Sequence, residues 1–163
     1  MRFPPFEDAF SIRALHRAML RALRGHRRDA EAAAFLLEAG PQLCALSRSL
    51  LDGSWRLAPY RTFPIRDPKP RMVAVVDFAD RVVHHALVVA VEPAIDPMLD
   101  PDSFACRRGK GLHRCVERAQ ELLQTHPYYL GLDIEGYFRE LPHDSVLTTL
   151  RGFNTPEPFV DLF

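Results

Sequence analysis

The hydrophobic pattern of this chain changes from a helical period to a strand period near residue 57, and it returns to a helical period after residue 77. Helical spacing predicts helices over residues 6–23, 29–39 and 42–51. Gly40-Pro41 is expected to end the second of these helices. Short β-type runs at residues 60–65 and 71–76 follow, and the whole order predicts an α+β fold without repeated β-α-β units.

The two β-type runs are joined by the segment Arg66-Asp67-Pro68-Lys69-Pro70. Proline has no backbone N–H to donate to a sheet ladder, so the prolines place this segment outside the paired strands. It is therefore predicted to be the rigid, basic tip of a β-hairpin.

The second half of the chain predicts alternating helices and loops around one strand. A helix is expected over residues 78–91, with Pro93 ending it, and a loop over residues 97–111. Apolar residues from Leu112 onward fit one face of a further helix that His126-Pro127 ends. Residues 128–133 are apolar enough to predict a strand buried on both faces, and residues 143–152 predict a last short helix.

Composition fits an ordinary globular domain. The 163 residues are 47% hydrophobic and 26% charged, with no net charge. No run approaches the roughly 18 apolar residues that span a bilayer, and the N-terminus has no apolar segment typical of a signal peptide. We therefore expect a cytoplasmic protein that does not associate with membranes.

Cys106, His113 and Cys115 raise the possibility of a zinc site, but their spacing fits no tetrahedral ligand pattern and a fourth ligand is not evident. The three cysteines, Cys44, Cys106 and Cys115, are therefore expected to be reduced, partly buried thiols.

Three segments, taken in order, resemble the opening motifs of bacterial retroelement reverse transcriptases of the group II intron and diversity-generating kinds. They are FPIRDPKPRMVAVVDFADRVVHHAL at residues 63–87, DSFACRRGKGLH at 102–113 and YYLGLDIEGYFRELPH at 128–143. The resemblance implies a helical N-terminal extension at residues 1–55, fingers at 56–126 and the start of a polymerase palm at 127–163.

Asp133 ends the predicted buried strand, where a lone charge is costly unless it is paired or binds a metal. A polymerase holds two Mg²⁺ ions on carboxylates, and Mg²⁺ prefers oxygen ligands in a rigid arrangement. Asp133 could instead cap the turn that follows the strand. The resemblance favours metal binding and catalysis, and it implies the backbone carbonyl of Ile134 as a second ligand.

The turn after Asp133 is expected to contact the incoming nucleotide through Gly136, Tyr137 and Phe138. The resemblance implies that an aromatic ring five residues after the aspartate excludes a ribose 2′-hydroxyl, which predicts deoxynucleotide substrates. Either aromatic side chain could also pack in the core, so one is expected to pack and the other to act as the gate.

Basic residues outside this turn are candidates for contacts with phosphate. Lys69 and Arg71, at the hairpin tip, suit the triphosphate of a nucleotide, although a solvated tip would carry the same residues. The resemblance also implies contacts with nucleic acid, made by Arg81, Arg107, Arg108 and Lys110.

The chain contains no Asp-Asp pair, the signature that supplies the remaining carboxylates in this family. We therefore expect the N-terminal part of an enzyme that is inactive alone and that needs the missing C-terminal half or an accessory protein. Its expected partners are an RNA template, a DNA primer, deoxynucleoside triphosphates and Mg²⁺. A non-catalytic module that binds RNA or a protein, and a remnant of a retroelement, are the alternatives.

Overall fold

A computed structural model describes residues 2–26, 28–66 and 68–163, without the side chains of Phe138 and Arg139. The chain divides into two compact units, residues 2–92 and residues 93–163. Helices and one antiparallel hairpin make up the described elements, so the prediction of a mixed helix-and-sheet chain is confirmed. Among the described residues, no helix has the length and apolar composition needed to cross a membrane.

The N-terminal unit is built on helices that bury apolar faces against one another. Its helices are α1 (Phe6–Ala9), α2 (Ile12–Ala22), α3 (Ala30–Leu37), α4 (Ala39–Leu51) and the greater part of α5 (Phe78–Ile95). The largest side chains fully buried in this unit are Phe10, Leu15, Phe78, Val82 and Val83. This burial is the main stabilising contribution to the unit.

The single helix predicted at residues 6–23 is two helices. The Ser11 hydroxyl donates to the Asp8 carbonyl oxygen at 2.9 Å and accepts the Ala14 N–H at 3.3 Å, which ends α1 and caps α2. Between the helices, the carbonyl oxygen of the buried Phe10 accepts a 2.8 Å hydrogen bond from the Ser47 hydroxyl of α4. The break is thus a fixed corner.

Two predicted helix ends are wrong, and both concern proline. Gly40 and Pro41 lie inside the first turn of α4, where a proline removes no hydrogen bond because the first N–H groups of a helix have no intrahelical acceptor. Pro93 lies within α5, three residues from its C-terminal end. There only the final turn loses a backbone bond, so the helix continues to Ile95.

The predicted hairpin is confirmed, but Arg66 and Pro70, which were predicted to belong to its tip, are the last residue of one strand and the first of the other. Strands β1 (Arg61–Arg66) and β2 (Pro70–Val75) pair antiparallel, with Arg61 opposite Val75 and Arg66 opposite Pro70. All six residues of β1 and four of the six in β2 are exposed. The hairpin is therefore an arm whose faces are largely open to solvent.

The C-terminal unit contains α6 (Leu112–Thr125), α7 (Tyr137–Glu140), α8 (His143–Gly152) and α9 (Glu157–Val160). The predicted helices at α6 and at 143–152 are confirmed, while α9 was not predicted. Helices α8 and α9 pack on each other, and Arg151 Nε donates to Glu157 Oε1 at 2.9 Å.

The predicted buried strand at residues 128–133 is wrong. These residues form no strand, and Tyr128 and Leu132 are 88% and 86% exposed. A strand needs a neighbour for its backbone hydrogen bonds, and β1 and β2 are the strands in the part of the chain that the structure describes. The apolar face of α6 is also open, with no residue of that helix buried.

Candidate functional site

The two candidate nucleotide-binding residues of the N-terminal unit lie at the hairpin tip. Lys69 lies between the strands and Arg71 lies in β2, opposite Ile65. Both side chains are exposed. Among the described residues neither forms an ion pair, so their charges are available to an anion in solution.

The base of the hairpin is held by a carboxylate that sequence reasoning missed. Glu31 Oε1 accepts the Phe78 N–H at 2.6 Å, and Glu31 Oε2 accepts a 2.5 Å hydrogen bond from Arg61 Nη2. Burial acts to raise the pKa of Glu31, but these two hydrogen bonds and the charges of Arg61 and Arg81 outweigh it and lower that pKa. No local pattern marks Glu31, because both partners are at least 30 residues away along the chain.

Arg81 lies on α5 and is half-buried. Its Nη1 atom is buried and has no hydrogen-bond partner among the described residues. Its neighbour Asp80 is buried and accepts the Ala58 N–H at 3.0 Å, which ties the segment before the hairpin to α5.

His85, one turn after Arg81, is part of a basic group rather than a metal cluster. Burial lowers the pKa of His85, and the charges of Arg21, Arg81 and His84 lower it further. The imidazole is therefore held neutral at physiological pH.

Arg107 closes the loop before α6. Its Nε lies 2.7 Å from Asp96 Oδ1, and its two terminal nitrogens donate to the backbone carbonyl oxygens of Asp96, Asp100 and Ser103 at 2.7–3.0 Å. The hydrogen bond from Arg107 and its charge lower the pKa of Asp96. All three guanidinium nitrogens are thus used within the C-terminal unit.

Lys110 and Arg118 continue the same internal network. Lys110 Nζ donates to the Pro101 carbonyl oxygen and lies 4.8 Å above the Phe104 ring centre, within cation–π range. Arg118 donates two hydrogen bonds to the Asp102 carboxylate, at 2.9 and 3.2 Å. In contrast, Arg108 is exposed and makes no hydrogen bond or ion pair with the described residues.

Asp133 lies in the exposed segment between α6 and α7. Its Oδ1 accepts the Ile134 N–H at 3.0 Å. Among the described residues no arginine, lysine or histidine pairs with the Asp133 carboxylate, which therefore presents its negative charge to solvent.

The turn after Asp133 depends on Gly136, which adopts a left-handed conformation with φ of 65°. This conformation favours glycine, while a Cβ at this position would lie 3.2 Å from Glu140 Cγ of an exposed side chain. Tyr137 begins α7 and is 45% exposed. The side chain of Phe138, the candidate sugar gate, lies outside the described residues.

Magnesium fits this segment only in part. The Asp133 carboxylate is a suitable oxygen ligand, and the Ile134 carbonyl follows it directly. Within the described ranges, no three side chains of His, Cys, Asp or Glu lie close enough to hold a metal ion. A Mg²⁺ ion here would take its other ligands from water, from a nucleotide or from another polypeptide.

The predicted site residues thus fall into three separate groups. Lys69, Arg71 and Arg81 belong to the N-terminal unit; Arg107, Arg108 and Lys110 belong to the loop before α6; Asp133 to Phe138 form one short segment of the C-terminal unit. No protein-family model matches the chain, and no curated protein is significantly similar to it.

Proposed function

We propose that this chain is the N-terminal part of an RNA-directed DNA polymerase, and that it supplies the fingers and the first metal-binding carboxylate of the palm. The single observation that carries the proposal is the exposed, unpaired carboxylate of Asp133, placed directly before a glycine-dependent turn. A carboxylate in that position can bind a divalent cation without first breaking an ion pair.

The divalent cation, when bound, neutralises charge on the triphosphate and on the reacting oxygens. Asp133 and the Ile134 carbonyl would hold it, and the backbone of Gly136 would allow phosphate to approach closely. Phe138, with Tyr137 beside it, would exclude a ribose 2′-hydroxyl, so the substrates would be deoxynucleoside triphosphates.

The hairpin supports the same proposal. Lys69 and Arg71 place two positive charges on an exposed arm, and cations on such an arm can offset the charge of a triphosphate. We propose that Arg81 and Arg108 contact the RNA template and the DNA primer. The proposed location of the enzyme is the cytoplasm. Arg107 and Lys110 already donate hydrogen bonds within the chain, so we do not propose that they contact phosphate directly.

The open apolar segment at residues 128–133 supports an enzyme that is completed by another part of a polymerase. Its exposed tyrosine and leucine side chains would be covered if strands of a palm paired with it. The chain has no Asp-Asp pair, so the remaining carboxylates would also come from outside these 163 residues.

The proposal is tested by reading the DNA beyond codon 163 and by primer extension. An in-frame aromatic-x-Asp-Asp signature downstream is expected, and the longer product should extend a DNA primer on an RNA template with Mg²⁺ and deoxynucleotides. Residues 1–163 alone should add no nucleotide. Extension by residues 1–163 alone, or an inactive longer product that carries the signature, would contradict the proposal.

A binding module without catalysis is the second candidate, and the closed loop before α6 favours it. Arg107, Lys110 and Arg118 hold that loop through hydrogen bonds to Asp96, Pro101 and Asp102 of the same unit. Exposed Arg108 would then bind RNA by itself. Equal RNA binding by the unsubstituted chain and Asp133→Ala, together with loss of binding in Arg108→Ala, would favour the module.

A further inference from the structure

Both ends of the hairpin and the start of α5 meet at one side chain, Glu31 of α3. Each oxygen of its carboxylate has its own donor, the Phe78 N–H for Oε1 and Arg61 Nη2 for Oε2. Arg61 Nε in turn lies 3.3 Å from Asp77 Oδ1. Since Arg61 is the first residue of β1 and Phe78 follows β2 by three positions, the two hydrogen bonds of the Glu31 carboxylate reach the chain on both sides of the arm.

Apart from these contacts and the hydrogen bond from the Ala58 N–H to the buried Asp80, the described residues offer the hairpin little to fix its direction. Its strands are exposed along most of their length, and a two-stranded hairpin by itself is only marginally stable in water. Backbone pairing between β1 and β2 keeps the arm intact but leaves its angle to the helices free. The contacts that set this angle are therefore at the base.

We propose that Glu31 is the positioning residue of the hairpin, and that its carboxylate fixes the direction in which the tip presents Lys69 and Arg71. This inference rests on the proposed function where it concerns nucleotide binding at the tip. The restraint on the arm itself follows from the contacts of Glu31 alone.

The geometry requires a carboxylate at this position. A glutamine side chain has an NH2 group in place of one of the two oxygens, so in this arrangement either the Phe78 N–H or Arg61 would face a donor instead of an acceptor. Helices α3 and α5 keep a second contact, because the rings of Phe35 and Phe78 pack edge to face with their centres 5.2 Å apart. Loss of the charge should therefore release the arm while the two helices stay together.

The test compares Glu31→Gln with Glu38→Gln in the 163-residue chain. Glu38 is exposed and its side chain makes no capping hydrogen bond, so this variant controls for the loss of one negative charge. Amide hydrogen exchange over residues 61–75 reports the arm, and titration with a fluorescent deoxyadenosine triphosphate in Mg²⁺ reports the tip. Urea unfolding monitors the fold.

Glu31→Gln should raise exchange in the hairpin several-fold and weaken triphosphate binding about tenfold, the equivalent of one charged hydrogen bond. The urea midpoint should fall only slightly below that of Glu38→Gln, by less than the added hairpin exchange would require. Arg61→Gln should raise exchange in the same way, and the double variant should add little, because the two residues act as one unit. Arg61→Lys should restore part of the protection, because it keeps the charge.

Hairpin exchange equal to that of Glu38→Gln would overturn the inference. So would additive effects of Glu31→Gln and Arg61→Gln, or a fall in the urea midpoint that accounts for all of the added exchange. If the unsubstituted chain does not bind the triphosphate, the nucleotide role of the tip fails. The exchange comparison then still decides the position of the arm.

Discussion

Arg107 Nε lies 2.7 Å from Asp96 Oδ1, and this ion pair joins the start of the turn after α5 to the loop that precedes α6. Arg107 was expected to contact nucleic acid, but it donates hydrogen bonds to three backbone carbonyl groups and one carboxylate of its own unit. Its neighbour Arg108 is exposed and makes no such bonds with the described residues. Arg107 is therefore a structural cation, whereas the adjacent Arg108 faces solvent.

Arg107→Ala should therefore affect the stability of the chain, whereas Arg108→Ala should affect its binding to RNA. Arg107→Ala leaves several carbonyl groups without donors, so it should lower the Tm by a few degrees and increase proteolysis of residues 99–111. Arg108→Ala should leave the Tm unchanged and weaken binding to a single-stranded RNA oligonucleotide, with a smaller dependence on salt. Differential scanning calorimetry and fluorescence anisotropy measure the two effects. Equal Tm values for the two variants would contradict the assignment.

The free energy of unfolding should decrease as the pH is lowered through the range in which Glu31 becomes protonated. Because the folded-state pKa of Glu31 is lowered, its contribution is fully present above the ordinary glutamate pKa of about 4.3. That contribution is lost as the pH falls from this value through the lowered folded-state pKa. Urea unfolding of the unsubstituted chain and of Glu31→Gln at a series of pH values measures it, and the two stability curves should converge in acid. A constant gap between the curves would contradict the prediction.

The corner between α1 and α2 should depend on Ser47. Its hydroxyl is buried and donates to the Phe10 carbonyl oxygen, so Ser47→Ala removes a buried hydrogen bond and should cost about 1 kcal/mol. Ser49→Ala is the matched control, since the Ser49 hydroxyl bonds only to Leu46 within its own helix, in a half-buried position. The free energy of unfolding in urea distinguishes them, and equal losses would show that the corner does not need Ser47.

Deoxynucleotide selectivity should depend on Phe138 if the chain contributes to a polymerase. Phe138→Val removes the ring proposed to exclude the ribose 2′-hydroxyl, so incorporation of ribonucleotides should rise relative to deoxynucleotides. Tyr137→Val is the control for loss of an aromatic side chain in the same turn. The ratio of kcat/KM for the two nucleotides in the longer, active product is the measurement. An unchanged ratio for Phe138→Val would remove the gate from the proposal.

Local patterns predicted the elements whose stability comes from nearby residues. The prolines around Lys69 defined the hairpin tip, and the spacing from Leu112 onward defined α6. Pro41 and Pro93 misled because the effect of a proline depends on its place in the helix, and sequence alone did not locate the helix ends.

Long-range contacts were beyond the reach of the same patterns. The apolar run at residues 128–133 has the composition of a strand, but its conformation depends on partners elsewhere. Glu31 is one acidic residue among many in the sequence, and its contacts with Arg61 and Phe78 exist only because α3 and α5 meet. The structure gives the position of each predicted site residue in the fold, and the roles proposed for these residues stay predictions.

The central claim is that Asp133 presents its carboxylate to a divalent cation carried by a nucleotide. Calorimetric titration of residues 1–163 with Mg²⁺ and deoxyadenosine triphosphate tests it most directly, using Asp133→Asn and, as a control, Asp144→Asn in the exposed first turn of α8. We expect Asp133→Asn to weaken binding at least about tenfold, while Asp144→Asn should bind like the unsubstituted chain. Equal affinity of Asp133→Asn and the unsubstituted chain, or no binding by either, would contradict it.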